Sequence, residues 1–234
     1  MLRFALFAFF NLAMVHGELC GNQTYSPSEY VCVEDEILCP IINGTPYICR
    51  STGLEPLPFL DAPFVLTVSN PYVPDIDGLP VHASGQRLVT GPNAKTSTYC
   101  PLGIEECDEL ISNRTVLSAR GGKSWSLMVQ VPGGQQGYLH PGGMPTYTQA
   151  HSMYVPPGSQ RVGFAAHAYG VFVNWKVPEG WWACRPDPEL GDADGVWKIF
   201  GRKQGNGTRG KGCVGVNLLV DEVDAEQYWA WQYT

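Results

Sequence analysis

Residues Trp125–Leu139 read WSLMVQVPGGQQGYL. Trp125, Leu127, Val129 and Val131 alternate with Ser126, Met128 and Gln130, a period of two that sends the first set to one face of a strand. Pro132-Gly133-Gly134 turns the chain, and Gly137-Tyr138-Leu139 returns it as a hairpin. His140-Pro141-Gly142-Gly143 then turns it again, before Pro145 to Thr148.

The same grammar extends both ways. Upstream lie Phe64 to Val68, closed by Asn70-Pro71, and Arg87 to Thr90, closed by Gly91-Pro92. Downstream, strands are expected at Arg161–Phe164, Tyr169–Trp175, Trp181–Cys184, Val196–Phe200 and Cys213–Val220, with Trp229 to Tyr233 as a terminal strand. Helical periodicity is confined to Asp221–Tyr228, where acids stand toward a possible helix N-terminus. The expected class is all-β: an antiparallel sandwich or barrel, with a trefoil-like body as the alternative. About 170 residues from Phe64 to Thr234 suffice for one core.

Ahead of this body, Cys20 to Cys49 carries four cysteines spaced C-x11-C-x6-C-x9-C, together with Tyr25, Tyr30 and Tyr47. So short a segment cannot bury enough apolar surface to fold alone, so cross-links must stand in for a core. Four cysteines allow three connectivities, and spacing does not choose among them. The expected organisation is a signal peptide at 1–17, a cysteine-rich module at 18–50, a proline-rich linker at 51–63 and the β body at 64–234. In the body, Cys100 and Cys107 bracket a short loop and are expected to pair, the alternative being that each pairs with Cys184 or Cys213.

The start of the chain, Met1-Leu2-Arg3 followed by the apolar run Phe4 to Val15 and then His16-Gly17, has the plan of a secretory signal. The run is too short to span ~30 Å of bilayer, and no later stretch reaches ~20 apolar residues. Eight cysteines, an even number, fit an oxidising compartment. Asn22, Asn113 and Asn206 head Asn-x-Thr sequons, and a fourth at Asn43 is followed by Pro46 after its threonine. A secreted glycoprotein is the expectation.

Losing residues 1–17 removes one cation, Arg3, and no acid, so the net charge moves from −7 to −8. Such a chain repels nucleic acid and anionic membranes. Only 16% of residues are charged, and a neutral polysaccharide is a partner that asks for no charge.

Catalytic and metal signatures are weak. Glycosidases need two carboxylates about 5 to 9.5 Å apart. Glu34-Asp35-Glu36, Glu105-Glu106 and Asp221-Glu222 are neighbours, which point to opposite faces of a strand. There is no G-x-S-x-G elbow, and bridged cysteines offer no thiolate. His140, His151 and His167 lack the spacing of a helical zinc pair. Asp75-x-Asp77-Gly and Asp192-x-Asp194-Gly reach Leu79 and Val196 where a calcium loop needs oxygen, so both read as turns. No catalytic residue, metal or cofactor is assigned.

Aromatic side chains remain. Flat amphipathic rings stack on the apolar faces of sugars, and neighbouring polar groups take the hydroxyls. Tyr25, Tyr30 and Tyr47 are the candidate carbohydrate contacts, while Trp175, Trp181, Trp182 and Trp197 read as body packing, with Trp181 and Trp182 facing opposite ways.

Two resemblances sharpen this. The pattern C-x4-Y-x4-Y-x-C-x6-C-P, carried by Cys20, Tyr25, Tyr30, Cys32, Cys39 and Pro40 and continued by Ile41, Asn43, Gly44 and Cys49, resembles carbohydrate-binding module family 52. Those small modules accompany fungal endo-1,3(4)-beta-glucanases. This chain departs after Cys49, running Arg50-Ser51-Thr52-Gly53 in place of a Gly and a further Cys-Tyr pair. In the body, VPGGQQGYLHPGGMPTYTQAHSMYVPPGS (Val131 to Ser159), with STYCP before it and WWAC and GCVGVNLL after it, resembles the fungal phialide-type cell-wall proteins. Together the resemblances imply a secreted or wall-bound protein that binds β-1,3-glucan without catalysis. The alternatives are a glycoside hydrolase targeted by the module, and a structural wall protein with no specific glycan binding.

Overall fold

The computed structural model describes residues 18–25, 30–33, 37–42, 45–50, 53–56, 58–104, 114–167, 170–174, 180–186, 194–201, 212–224 and 230–234. The expected signal peptide, the acids at 34–36 and 105–106, and Asn43, Cys107, Asn113, Trp175, Asp192, Asn206 and Trp229 lie outside these residues.

The architecture is all-β, as the Gly/Pro-punctuated pattern implies. In the N-terminal part, β1 (Glu18–Cys20) and β2 (Gln23–Tyr25) form a hairpin. β3 (Tyr30–Val33), β4 (Ile37–Ile42), β5 (Thr45–Arg50) and β6 (Gly53–Pro56) make a four-stranded antiparallel sheet in chain order. Disulfides join Cys20 to Cys32 and Cys39 to Cys49, which selects consecutive pairing among the three connectivities. The stretch expected to be a linker therefore begins with a paired strand. Gly53, at φ 130°, lets the chain double back onto β5, and the prolines beyond do not interrupt that ladder.

The body strands are β7 (Phe64–Ser69), β8 (His82–Ser84), β9 (Arg87–Thr90), β10 (Thr98–Tyr99), β11 (Leu117–Ser118), β12 (Ser126–Leu127), β13 (Gln135–Leu139), β14 (Pro145–Tyr147), β15 (Phe164–His167), β16 (Val171–Asn174), β17 (Trp181–Cys184), β18 (Trp197–Phe200), β19 (Cys213–Glu222) and β20 (Gln232–Tyr233). Ten of them form one antiparallel sheet in the order β14-β13-β12-β11-β7-β19-β17-β18-β9-β8. β9 carries β8 on one edge; on the other it meets β18 at Val89 and Thr90 and β14 at Arg87. Through the Arg87–Thr146 pairing the sheet order returns on itself, the closure a barrel needs.

Alternation is visible in the burial. Trp125, Leu127 and Val131 are buried and Gln130 is exposed, while Ser126, Met128 and also Val129, which the pattern sends inward, are half-buried. The strand itself is shorter than its pattern. Beyond Leu127 the backbone changes partner, with Met128 N–H donating to Val116 and Gln130 and Val131 N–H donating to Ala230 and Trp231.

The hairpin β15–β16 supplies Phe164 and Phe172, which stack at 6.2 Å; Phe172 in turn stacks on Trp181 at 5.3 Å, with Trp125 edge-on to both phenylalanines. Leu66, Val68, Leu117, Leu127, Ile199 and Leu218 fill the space around them. β15 starts three residues later than expected, because Gly163 carries the approach at φ 106°. The helical turn expected at Asp221–Tyr228 is absent from its described part: Asp221 and Glu222 extend β19, paired with Val65 and Phe64. Pairing with β7 along that whole edge outweighs a weak local helical preference.

Cys184 and Cys213 are register partners across β17 and β19 and are disulfide-bonded. Cys100 is disulfide-bonded as well, so its pairing with Cys184 or Cys213 is ruled out. Among the described residues, no helix is long and apolar enough to cross a membrane.

Candidate functional site

The candidate surface is built by strand register. In the β3–β4 pair Tyr30 stands directly opposite Pro40, and in the β5–β6 pair Tyr47 stands directly opposite Pro56. Between them, Ile41 pairs with Pro46 and Ile42 with Thr45, which brings Pro40 level with Tyr47. Directly opposed residues share a face of a sheet. Tyr30, Pro40, Tyr47 and Pro56 thus form one row across four strands.

The row is accessible. Tyr30 is 40% exposed and Pro56 is exposed, while Pro40 and Tyr47 are half-buried. Two strand spacings separate the tyrosines, roughly 10 Å. Two phenol rings at that interval, with pyrrolidine rings beside each, make a flat strip of C–H and aromatic surface without a formal charge. Cys39–Cys49 ties β4 to β5, and Cys49 N–H donates to Cys39 Sγ at 2.9 Å.

Tyr25 is placed differently. It ends β2, in the separate hairpin held by Cys20–Cys32, and is only 8% exposed. The structure brings Tyr30 and Tyr47 into one row, while Tyr25 is buried at the end of the other hairpin. Sequence reasoning missed Pro40 and Pro56 as members of the row. Its signal was present in Gly53, whose turn doubles the chain back and sets Pro56 against Tyr47. Asn22, at the turn of the β1–β2 hairpin, is exposed.

In the body, Trp181 and Trp197 are 4% and 3% exposed, whereas Trp182 is half-buried, as alternation along β17 requires. Trp181 Nε1–H donates to the Phe172 carbonyl at 2.6 Å. The two aspartate turns behave as turns where they are described. Asp77 Oδ1 accepts the Asn70 N–H at 2.8 Å, and the Asp194 carbonyl accepts from Asn93 Nδ2 at 3.0 Å. Asp221 Oδ2 accepts from Thr67 Oγ1 at 3.2 Å. His140 Nδ1 accepts the Gly142 N–H at 3.0 Å, and His167 is buried against Phe59.

Four titratable groups are displaced by burial, among them the Tyr138 phenol, which burial and then the neighbouring Tyr154 raise. Burial lowers the His82 imidazole below its ordinary value; its Nδ1 lies 2.8 Å from Thr96 Oγ1. Burial raises the Tyr147 phenol and pushes that of Tyr233 up to about 12. Both phenols work in the closure of the body. Tyr233 Oη accepts the Val116 N–H at 3.1 Å, and Gln135 clasps the Tyr233 backbone, its Oε1 accepting Tyr233 N–H at 2.8 Å and its Nε2 donating to the carbonyl at 2.9 Å.

Comparison with known proteins matches both parts. A family model described as "Carbohydrate binding" matches residues 19–51, and one described as "PhiA-like secreted protein" matches residues 67–234. An uncharacterized secreted protein of Arthroderma benhamiae is 39% identical over 101 residues, covering 43% of this chain and 48% of that protein. The match thus spans about half of the relative's length. No solved structure matches.

Proposed function

The chain belongs to the PhiA-like secreted protein family, and on that premise we propose that it is an exported carbohydrate-binding protein that holds cell-wall polysaccharide without acting on it. The observation that carries this reading is the Tyr30–Pro40–Tyr47–Pro56 row, whose first three members lie within the stretch matched by the carbohydrate-binding model. β-1,3-Glucan is the substrate we put first, on the resemblance of the Cys20–Cys49 pattern to family 52 modules. Each tyrosine ring lies against the C–H face of one sugar, and the hydroxyls at the strip's edge bond to backbone groups and water. Tyr25, buried at the end of the disulfide-tied hairpin, steadies that hairpin. Asn22, Asn113 and Asn206 are proposed glycan carriers.

With few rings and no charge involved, affinity is modest and nearly independent of salt. The test is depletion of the purified chain from solution by insoluble β-1,3-glucan, chitin and cellulose at low and at high salt. Depletion by glucan alone, unchanged by salt, supports the reading. Equal recovery in the unbound fraction with all three overturns it, and depletion by chitin or cellulose instead overturns the assignment of glucan.

A further inference from the structure

A second surface, on the body, has the character of a glycan trough. The β8–β9 hairpin turns through Gly85 and Gln86, both near φ 58°, the mirror-image two-residue turn that demands left-handed backbone at both positions. Glycine, asparagine or aspartate meets that demand cheaply; glutamine does not. The loop after β14 holds a second such residue, His151, at φ 61°. Among the described residues these two are the non-glycine residues with left-handed backbone, and both line adjoining cavities. Backbone outliers of this kind persist where the surroundings hold them, and they cluster at binding sites.

The surroundings here do hold Gln86. Its N–H donates to the buried Tyr147 hydroxyl at 3.2 Å, which itself donates to the Thr234 carbonyl at 3.1 Å. Two cavities of about 440 and 490 Å³ meet at Gly85, Gln86 and Gln149 and together make one open trough. Tyr154, 69% exposed, stands over it on a loop braced by Ser152, whose Oγ accepts the Tyr154 N–H at 3.2 Å. The side-chain amides of Gln86 and Gln149, the Arg87 guanidinium and the Tyr154 hydroxyl have no hydrogen-bond partner among the described residues. No carboxylate side chain lines either cavity.

We infer that this trough, framed by Gln86, Arg87, Gln149 and Tyr154, is a second binding site for a neutral oligosaccharide, separate from the tyrosine row of the N-terminal sheet. Each glutamine amide offers a donor and an acceptor side by side, the complement of adjacent sugar hydroxyls. Arg87 adds donors only, and Tyr154 adds the ring that a sugar face needs. A neutral ligand fits because the lining offers neutral amides and a ring platform and no Asp or Glu side chain. Its length, continuous across two cavities, suits a chain of sugars rather than one.

The test separates the two sites by working in the full-length Tyr30→Ala/Tyr47→Ala background. Calorimetric titrations use the hexasaccharides of β-1,3-glucose, β-1,4-N-acetylglucosamine and β-1,4-mannose. The background protein is expected to bind at least one of them. Adding Tyr154→Ala weakens that binding roughly tenfold, the factor that ~1.4 kcal/mol of lost contact produces. Gln86→Asn keeps a side chain that tolerates the left-handed turn while withdrawing the amide by one methylene. It is expected to melt at or above the parent temperature yet bind more weakly, a split that a purely structural Gln86 would not show. No binding by the background protein, or unchanged affinity in both added variants, overturns the second site and leaves the reading of the tyrosine row untouched.

Discussion

Tyr47 stands directly across the ladder from Pro56, in a strand that follows the last cysteine of the N-terminal motif. That pairing makes Gly53–Pro56 part of the sheet that carries Tyr30 and Tyr47, and it lets the row of rings span four strands instead of three. Shortening the chain after Cys49 would remove one end of the row. Replacing Gly53 with Val, at φ 130°, is expected to unpair β6 and weaken glucan retention with Tyr30 intact. Depletion assays on that variant check this directly.

The bridges of the N-terminal part are expected to act locally. Each closes a loop of 12 or 10 residues, worth about 3 kcal/mol apiece by chain entropy. All seven tryptophans lie at or beyond Trp125, so their fluorescence reports the body. Cys39→Ser/Cys49→Ser should open residues 20–49 to proteolysis and abolish glucan retention while the tryptophan melting curve stays in place. A matching fall in the tryptophan transition would contradict the local account.

Much of this was legible in the sequence, for physical reasons that can be named. Period-two burial is written into Trp125, Leu127 and Val131, and Gly/Pro punctuation marks strand ends such as Ser69 and Thr90. Long-range closure is not written locally. Nothing near Arg87 says that it will pair with Thr146, and nothing near Asp221 says that β7 will hold it extended. The same limit governs the candidate surface. The small size of the module and its family resemblance named Tyr25, Tyr30 and Tyr47, but which of them share a face depended on register and on which hairpin each joined. That is how Tyr25 came to be buried and Pro56 to be overlooked.

Core packing gives a further check. A methyl group at Gly137 would run into the indole of Trp125, which is 1% exposed and has no room to retreat. Gly137→Ala is expected to destabilise the body by about 1 to 3 kcal/mol, the usual range for overpacking. Chemical denaturation followed by tryptophan emission measures it. Gly133→Ala, in a turn where an added Cβ meets nothing within 4 Å, isolates the backbone cost of φ 89° from any clash.

Alkaline pH should release the C-terminal clasp. Burial holds the Tyr233 phenol up to about 12 against an ordinary value of 10.0, and raises Tyr147 in the same direction. A raised folded value means that the native state keeps its proton where the unfolded chain gives it up. The contribution is therefore intact below pH 10 and declines as pH climbs from 10 toward 12 and beyond. Tyr233→Phe should flatten that decline in a pH series of denaturation midpoints, while lowering stability at neutral pH by the lost Val116 hydrogen bond.

The most direct measurement of the central claim is retention on insoluble β-1,3-glucan of three variants beside the parent: Tyr30→Ala, Tyr47→Ala and Tyr25→Phe. The row of rings requires that both alanine variants lose retention while Tyr25→Phe, which keeps the buried ring of the β1–β2 hairpin, binds as the parent does. Retention unchanged in Tyr30→Ala and Tyr47→Ala, or lost in Tyr25→Phe alone with the disulfides intact, would contradict it.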